Sequence, residues 1–156
     1  MLTEEYAGSG NDVARVYAGF TQVRNLDQTP YGSGWMLAGA DRLYFQTDGV
    51  DLADDVGNMF TFVRNPINGS YSTPDLLAGN SLVRNNDGTY TLTFQDHSTM
   101  LFNASGQMTS YTTPVGNTTS YTYNSDGTIA SMTDPAGRTT TYAYTNGQLT
   151  SVSIED

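Results

Sequence analysis

Tyr123-Asn-Ser-Asp-Gly127-Thr-Ile129 is the segment most informative about the fold, because close variants of it lie on both sides of it. Phe102-Asn-Ala-Ser-Gly106-Gln-Met108 precedes it, and the shorter Tyr144-Thr-Asn-Gly147-Gln-Leu149 follows it. The glycines are spaced by 21 and then 20 residues. A fixed period of this size is typical of repeat architectures in which each unit is one supersecondary element. The repeat therefore predicts a protein that builds a surface or wall rather than a catalytic cleft.

The segments between these variants repeat as well. Pro114-Val-Gly116-Asn117 is matched by Pro135-Ala-Gly137-Arg138, and Tyr121-Thr-Tyr123 is matched by Tyr142-Ala-Tyr144. Asn-Gly, Asp-Gly and Pro-x-Gly are typical of turns, and alternating Tyr and Thr favour half-buried strands. Each unit is therefore predicted to be one β-hairpin. Since a lone hairpin is marginal in water, we expect the hairpins to join side by side in one antiparallel sheet.

The paired tyrosines carry a prediction about this sheet. Tyr121 and Tyr123 lie two residues apart and so point to one face, as do Tyr142 and Tyr144. In-register pairing would align the two pairs as a cross-strand aromatic ladder. Such a ladder could stack sugars through Tyr121 and Tyr142. The interpretation we favour is that this face packs against a core, because exposed aromatic rows promote aggregation.

These patterns predict an all-β fold: an antiparallel hairpin-repeat sheet, curved or partly rolled, with no large helix. Three segments are expected. They are an N-terminal strand or arm segment over residues 1–30, an irregular β lead-in segment over 31–80, and the hairpin repeats over 81–156. The apolar spacing of residues 13–23 fits one or two strands better than a helix, because of its β-branched residues and Gly19.

The lead-in segment has weaker signals. A short strand is predicted over residues 35–38, and Asn68-Gly69 carries the type I′ hairpin signal. Glycine spacing of 19 and 18 residues, from Gly69 to Gly88 to Gly106, suggests that the periodicity begins near residue 58 in degraded form.

Composition excludes several classes of function. The net charge is −10, so the chain has no basic stripe to replace the counterions of a nucleic acid, and an anionic membrane surface is disfavoured. All six cations are arginines, and lysine is absent. Without cysteine, the chain can form neither a disulfide nor a thiolate metal site. No apolar run is long enough to span a membrane.

The pattern Gly127-Thr-Ile-Ala-Ser-Met-Thr-Asp134-Pro-Ala-Gly137-Arg138-Thr-Thr-Thr-Tyr142-Ala-Tyr144 resembles the YD repeat of Rhs proteins. The resemblance is specific over residues 117–152 and extends over 81–116. Thr113 stands where Asp134 stands one unit later, and the Tyr-Asp pair itself is replaced by Tyr-Asn and Tyr-Thr. The positions expected to define the repeat structurally are Gly106, Pro114, Gly116, Tyr121, Tyr123, Gly127, Asp134, Pro135, Gly137, Arg138, Tyr142, Tyr144 and Gly147.

The resemblance implies a role in a larger structure. In Rhs and teneurin-like proteins, such repeats spiral into a hollow β-shell that encloses a toxin or acts in surface adhesion. The repeats present here are too few to close a shell. The chain therefore resembles an opening section of a shell, or a short relative that stands alone. A secreted or cell-surface location is expected. Since the first residues lack a signal-peptide pattern, this location implies another export route, a removed signal, or a chain excised from a longer protein.

Candidate binding and catalytic residues are few. Asp48, Asp51, Asp54 and Asp55 form an acidic loop that is a weak Ca²⁺ candidate, although their spacing does not fit an EF-hand and a solvated turn explains them as well. His97, the single histidine, sits where a repeat turn has glycine and is interpreted as a turn residue. No catalytic residue can be nominated, because most acids occupy turns. We therefore predict a protein that is not an enzyme and has no cofactor.

The predicted function is structural. The chain is expected to form wall or fibre material of a secreted or surface assembly and to self-associate through exposed sheet edges, as a closed oligomer or an open filament. Residues 145–154 are predicted to form a strand without a partner on its outer side, which is one such edge. The alternatives are a carbohydrate- or receptor-binding adhesion module and a fragment of a toxin-encapsulating Rhs shell.

Overall fold

The computed structural model describes residues 29–32, 37 and 39–155, together with the backbone of three short strands before them. These strands are β1 (Leu2–Thr3), β2 (Ala14–Tyr17) and β3 (Thr21–Val23), which pair antiparallel in that order. Strands β2 and β3 confirm the prediction of strands over residues 13–23. The strand predicted over 35–38 lies outside the described residues, apart from Leu37.

The second sheet is a four-stranded antiparallel meander. Its strands are β4 (Arg42–Phe45), β5 (Gly49–Ala53), β6 (Met59–Arg64) and β7 (Tyr71–Ser72), which neighbour one another in chain order. Every residue of β5 is buried, because the sheet is covered on both faces at this strand. A 3₁₀ turn at Asp75–Leu77 then leads out of the sheet, and it is the one helical element in the described part of the chain.

The third sheet holds the repeats in eight strands, all antiparallel and in chain order. They are β8 (Ser81–Arg84), β9 (Tyr90–Thr93), β10 (Thr99–Phe102), β11 (Met108–Thr112), β12 (Thr118–Tyr123), β13 (Ile129–Thr133), β14 (Thr139–Thr145) and β15 (Gln148–Glu155). The all-β, hairpin-repeat fold is confirmed. The repeat sheet begins at β8, so the hairpin around Gly69 lies in the other sheet and the weak periodicity before residue 81 does not extend this one.

A three-residue turn with fixed hydrogen bonds recurs between strands of the repeat sheet. In one unit, the Gly106 N–H donates to the Asn103 carbonyl at 2.9 Å; one period later, the Gly127 N–H donates to the Asn124 carbonyl at 3.0 Å. Both glycines have positive φ angles, which a side chain would strain. His97 takes this place in the β9–β10 turn with a φ of 72°, so its interpretation as a turn residue in a glycine position fits.

β-Bulges recur with the same period. The pairing register slips between Leu101 and Phe102 and again between Thr122 and Tyr123, each time opposite a strand that has just left its glycine turn. A third slip, between Ala143 and Tyr144, lies in the last hairpin. A bulge locally increases the twist of a strand pair, so each unit imposes the same local deformation on the sheet.

The aromatic ladder predicted from the tyrosines is wrong. Tyr121 lies opposite Met132, and Tyr123 lies opposite Ile129. Because each unit contributes two strands, equivalent tyrosines fall on β12 and β14, and β13 separates them.

The core lies between the four-stranded sheet and the first strands of the repeat sheet. Leu43 and Phe62 from the former pack with Leu92, Phe102 and Met108 from the latter, and all five are almost fully buried. Backbone contact reinforces this packing, since the Leu43 N–H donates to the Gly106 carbonyl at 2.7 Å. Burying a large apolar side chain contributes about 1.5–3 kcal/mol. The two sheets therefore stabilise each other.

Candidate functional site

Strand β15 forms one edge of the repeat sheet and is the most exposed of its strands. Seven of its eight residues are exposed, and the apolar side chains of Val152 and Ile154 are 52% and 69% exposed. Its inner side pairs with β14 from Thr139 to Thr145. An edge strand presents N–H and C=O groups that can pair with another chain, and exposed β-branched residues favour such pairing.

Residues 29–30 cover the beginning of this edge. The Leu149 N–H donates to the Pro30 carbonyl at 2.7 Å, and the Gln148 side-chain amide donates to the Thr29 carbonyl at 3.2 Å. Of the described residues, no other backbone group outside the sheet hydrogen-bonds to β15. The stretch from 150 to 155 is therefore the open part of the edge.

Turn chemistry explains the acidic and basic residues of the last repeats. Asp134 accepts hydrogen bonds from the backbone N–H groups of Ala136 and Arg138 and forms an ion pair with the Arg138 guanidinium at 2.6 Å. The side-chain hydrogen bond from Arg138 is the main cause that holds the pKa of Asp134 below its usual value. One unit earlier, the Thr113 hydroxyl accepts a hydrogen bond from the Asn117 N–H, as the Asp134 carboxylate does from the Arg138 N–H.

The repeat tyrosines anchor one unit to the preceding one. The Tyr123 hydroxyl donates to the Met108 carbonyl at 2.6 Å, and the Tyr144 hydroxyl donates to the Ile129 carbonyl at 3.0 Å. Burial raises the pKa of both phenols, so both remain protonated donors. The same contact is therefore made in two successive units, whereas Phe102, at the equivalent position one unit earlier, has no hydroxyl to donate.

The two tyrosines considered for sugar stacking have different surroundings. Tyr121 packs against the core cluster, and burial raises the pKa of its phenol. Tyr142 is only half-buried and lies opposite Val152 of the edge strand. The structure does not place these rings on neighbouring strands.

The four aspartates proposed for calcium lie in different surroundings. Asp51 is buried and accepts from the Thr61 hydroxyl at 2.7 Å and from the Gln46 amide at 2.9 Å. Asp54 caps the β5–β6 turn, and Asp55 accepts from the Gly39 N–H at 2.8 Å. Asp48 is exposed in the β4–β5 turn. In the described part of the chain, no group of three or more acidic, His or Cys side chains is placed to hold a metal ion.

Asp41 is a candidate that the sequence did not reveal. It directly precedes β4, is only 6% exposed, and carries a side-chain oxygen, Oδ1, with no hydrogen-bond partner among the described residues. Burial, followed by the nearby Asp55 carboxylate, raises its pKa to about 7. An aspartate before a strand is an ordinary pattern, so no local signal marks this one. Residues of the repeat sheet, such as Met108 and Tyr121, surround it, and sequence spacing does not reveal their proximity.

Within the described residues, no helix is both long and apolar enough to cross a membrane. The repeats themselves match a known family. Residues 102–136 and 123–155 each match the family model described as RHS Repeat, and each match spans the glycine turn, the Pro-x-Gly turn and the strands between them. No curated protein matches the chain. Residues 102–155 are therefore RHS repeats, a type of repeat that is generally structural.

Proposed function

We propose that this chain is wall or fibre material of a secreted or surface assembly, and that copies associate through the exposed edge strand β15. The observation that carries the proposal is the open edge over residues 150–155, with Val152 and Ile154 exposed at its surface. An edge with unpaired backbone groups and apolar side chains is a template for adding another strand. The RHS repeats support a structural role in general, and the edge indicates how one unit would join the next.

The charge of the chain restricts how the copies meet. With a net charge of −10, two copies repel each other at long range. The outer strand, however, carries no acidic residue between Gln148 and Ile154, so short-range pairing there brings few like charges together. The association is therefore expected to strengthen as salt screens the long-range repulsion.

Replacing both exposed side chains of the edge, as Val152→Lys with Ile154→Lys, should abolish self-association. Lysine on an edge strand opposes pairing because its charge would have to be desolvated. The substitutions should leave folding almost unchanged, within about 0.5 kcal/mol, because both sites are exposed. Light scattering coupled to size exclusion, over a series of protein concentrations, measures the mass of the species formed.

Ile67→Lys is the matched control. Ile67 is 94% exposed but lies in the β6–β7 turn rather than on an edge strand. The control protein should associate like the wild type. A wild-type protein that stays monomeric at all concentrations and salt levels, or a control variant that loses association equally, would contradict edge pairing.

A further inference from the structure

A cavity of about 730 Å³ opens between the two larger sheets, away from the edge strand. Asp41 and Asp55 contribute carboxylates to its lining, and Phe94, Met100 and Met108 contribute apolar surface. The volume falls in the range of small-molecule and side-chain pockets. Carboxylates together with apolar side chains in one lining fit a ligand that is cationic at its tip and aliphatic along its stem.

Asp41 is the group that requires a partner. Its Oδ1 atom is almost fully buried and has no hydrogen-bond partner among the described residues. A buried carboxylate is costly unless it is protonated or paired with a cation. The neighbouring Asp55 increases this cost, since like charges oppose each other at short range.

The described cations of the chain do not meet this need. Of the four arginines whose side chains the structure describes, Arg138 pairs with Asp134 and Arg42 lies over the Tyr44 ring, and none of the four lines the cavity. The chain has no lysine, so no copy of it can supply an ammonium side chain. An ammonium ligand must therefore come from a different molecule.

We propose that this cavity binds a primary alkylammonium group, with the nitrogen facing the Asp41 and Asp55 carboxylates and the carbon stem lying along Phe94, Met100 and Met108. An ammonium is a compact charge with three donors, and it can face two carboxylates without the planar geometry that a guanidinium requires. Tyr121, which also lines the cavity, offers an aromatic surface that attracts cations. Such a group could be the side chain of a lysine in a partner protein or a free aliphatic amine.

Isothermal titration with two probes tests the proposal and separates these sources. The probes are n-butylammonium chloride and a capped Gly-Lys-Gly peptide, titrated into the full chain at about pH 8, where a carboxyl of pKa about 7 is mostly ionised. A capped Gly-norleucine-Gly peptide controls for apolar binding. We expect both amines to bind and the norleucine peptide not to bind. Tighter binding of the lysine peptide identifies a protein partner, whereas equal binding identifies a free amine.

Asp41→Asn and Asp55→Asn should each weaken amine binding at least about tenfold, since each removes a charge facing the ammonium. Asp48→Asn is the matched control, because it removes one exposed carboxylate outside the cavity and should leave the affinity unchanged. The proposal is overturned if neither amine binds the wild type, if norleucine binds as well as lysine, or if Asp41→Asn retains the wild-type affinity.

The pH dependence of the melting temperature tests the state of Asp41 without a ligand. The titratable groups that face Asp41 are Asp54, Asp55, Tyr121 and Tyr123, and Asp96 also lines the cavity. Because the pKa of Asp41 is raised on folding, its stabilising contribution is complete below its ordinary value of 3.8 and is lost as pH rises through about 7. Without amine, Asp41→Asn should therefore melt above the wild type at about pH 8, and the difference should vanish near pH 4. A difference that does not change with pH would contradict a buried, unpaired Asp41.

Discussion

Gly106→Ala is expected to lower the free energy of unfolding by about 3 kcal/mol or more, because two costs coincide at this glycine. Its φ of +79° strains any residue with a side chain. An added Cβ would also collide with the Leu43 carbonyl oxygen and lie 2.9 Å from the carbonyl carbon, and this backbone belongs to the other sheet. Relief would require the two sheets to move apart, with loss of the hydrogen bond between Leu43 and Gly106.

Gly137→Ala separates the two costs. Gly137 occupies the Pro-x-Gly turn between β13 and β14 with a φ of +87°, but a Cβ there would meet no atom within 4 Å. It should cost only the backbone strain, about 1 kcal/mol. Urea denaturation of both variants measures the difference. Equal losses would mean that the repeat sheet does not depend on close contact with β4 at Gly106.

Phe102→Ala should destabilise the protein by about 3–5 kcal/mol, because it leaves a cavity in the core that the two sheets share. The Phe102 side chain is completely buried and packs with residues of both sheets. Leu101→Ala is the matched control, since Leu101 is the adjacent residue of the same strand, is 41% exposed and points to the opposite face. It should cost less than about 1 kcal/mol.

Amide hydrogen exchange shows whether this core couples the two sheets. In Phe102→Ala, protection should fall in β5 of the four-stranded sheet as well as in β9, β10 and β11, because cooperative units lose stability together. Unchanged protection in β5 would show that the two sheets unfold independently.

Local signals in the sequence were sufficient to predict the repeat sheet. Turn glycines at Gly106 and Gly127 and the alternating strands between them depend on residues close in the chain, and strand type follows from such patterns. The ladder of Tyr121 with Tyr142 was wrong because one period holds two strands. The type I′ turn predicted at Asn68-Gly69 is also wrong. Only Gly69 of Asn68-Gly69 has a positive φ, whereas Asn146 and Gly147 both do, at 52° and 76°.

Contacts between the sheets could not be predicted in the same way. Leu43 approaches Gly106 across 63 residues of chain, and no periodicity connects an irregular segment to a regular one. The burial of Asp41 could not be predicted either, because it depends on strands that follow far along the chain.

Pairing of copies through β15 is tested most directly by a spin label at Ser153→Cys, measured by the dipolar broadening of its continuous-wave electron paramagnetic resonance spectrum. The chain has no cysteine of its own, so the label reports a single site. Neighbouring strands of a sheet lie about 4.8 Å apart, so labels on two paired β15 strands should give a strong short-range coupling that unlabelled protein dilutes away. The same label at Ser125→Cys, in the exposed turn between β12 and β13, should show no such coupling. Absence of coupling at position 153, at concentrations where light scattering detects association, would contradict the edge-pairing account.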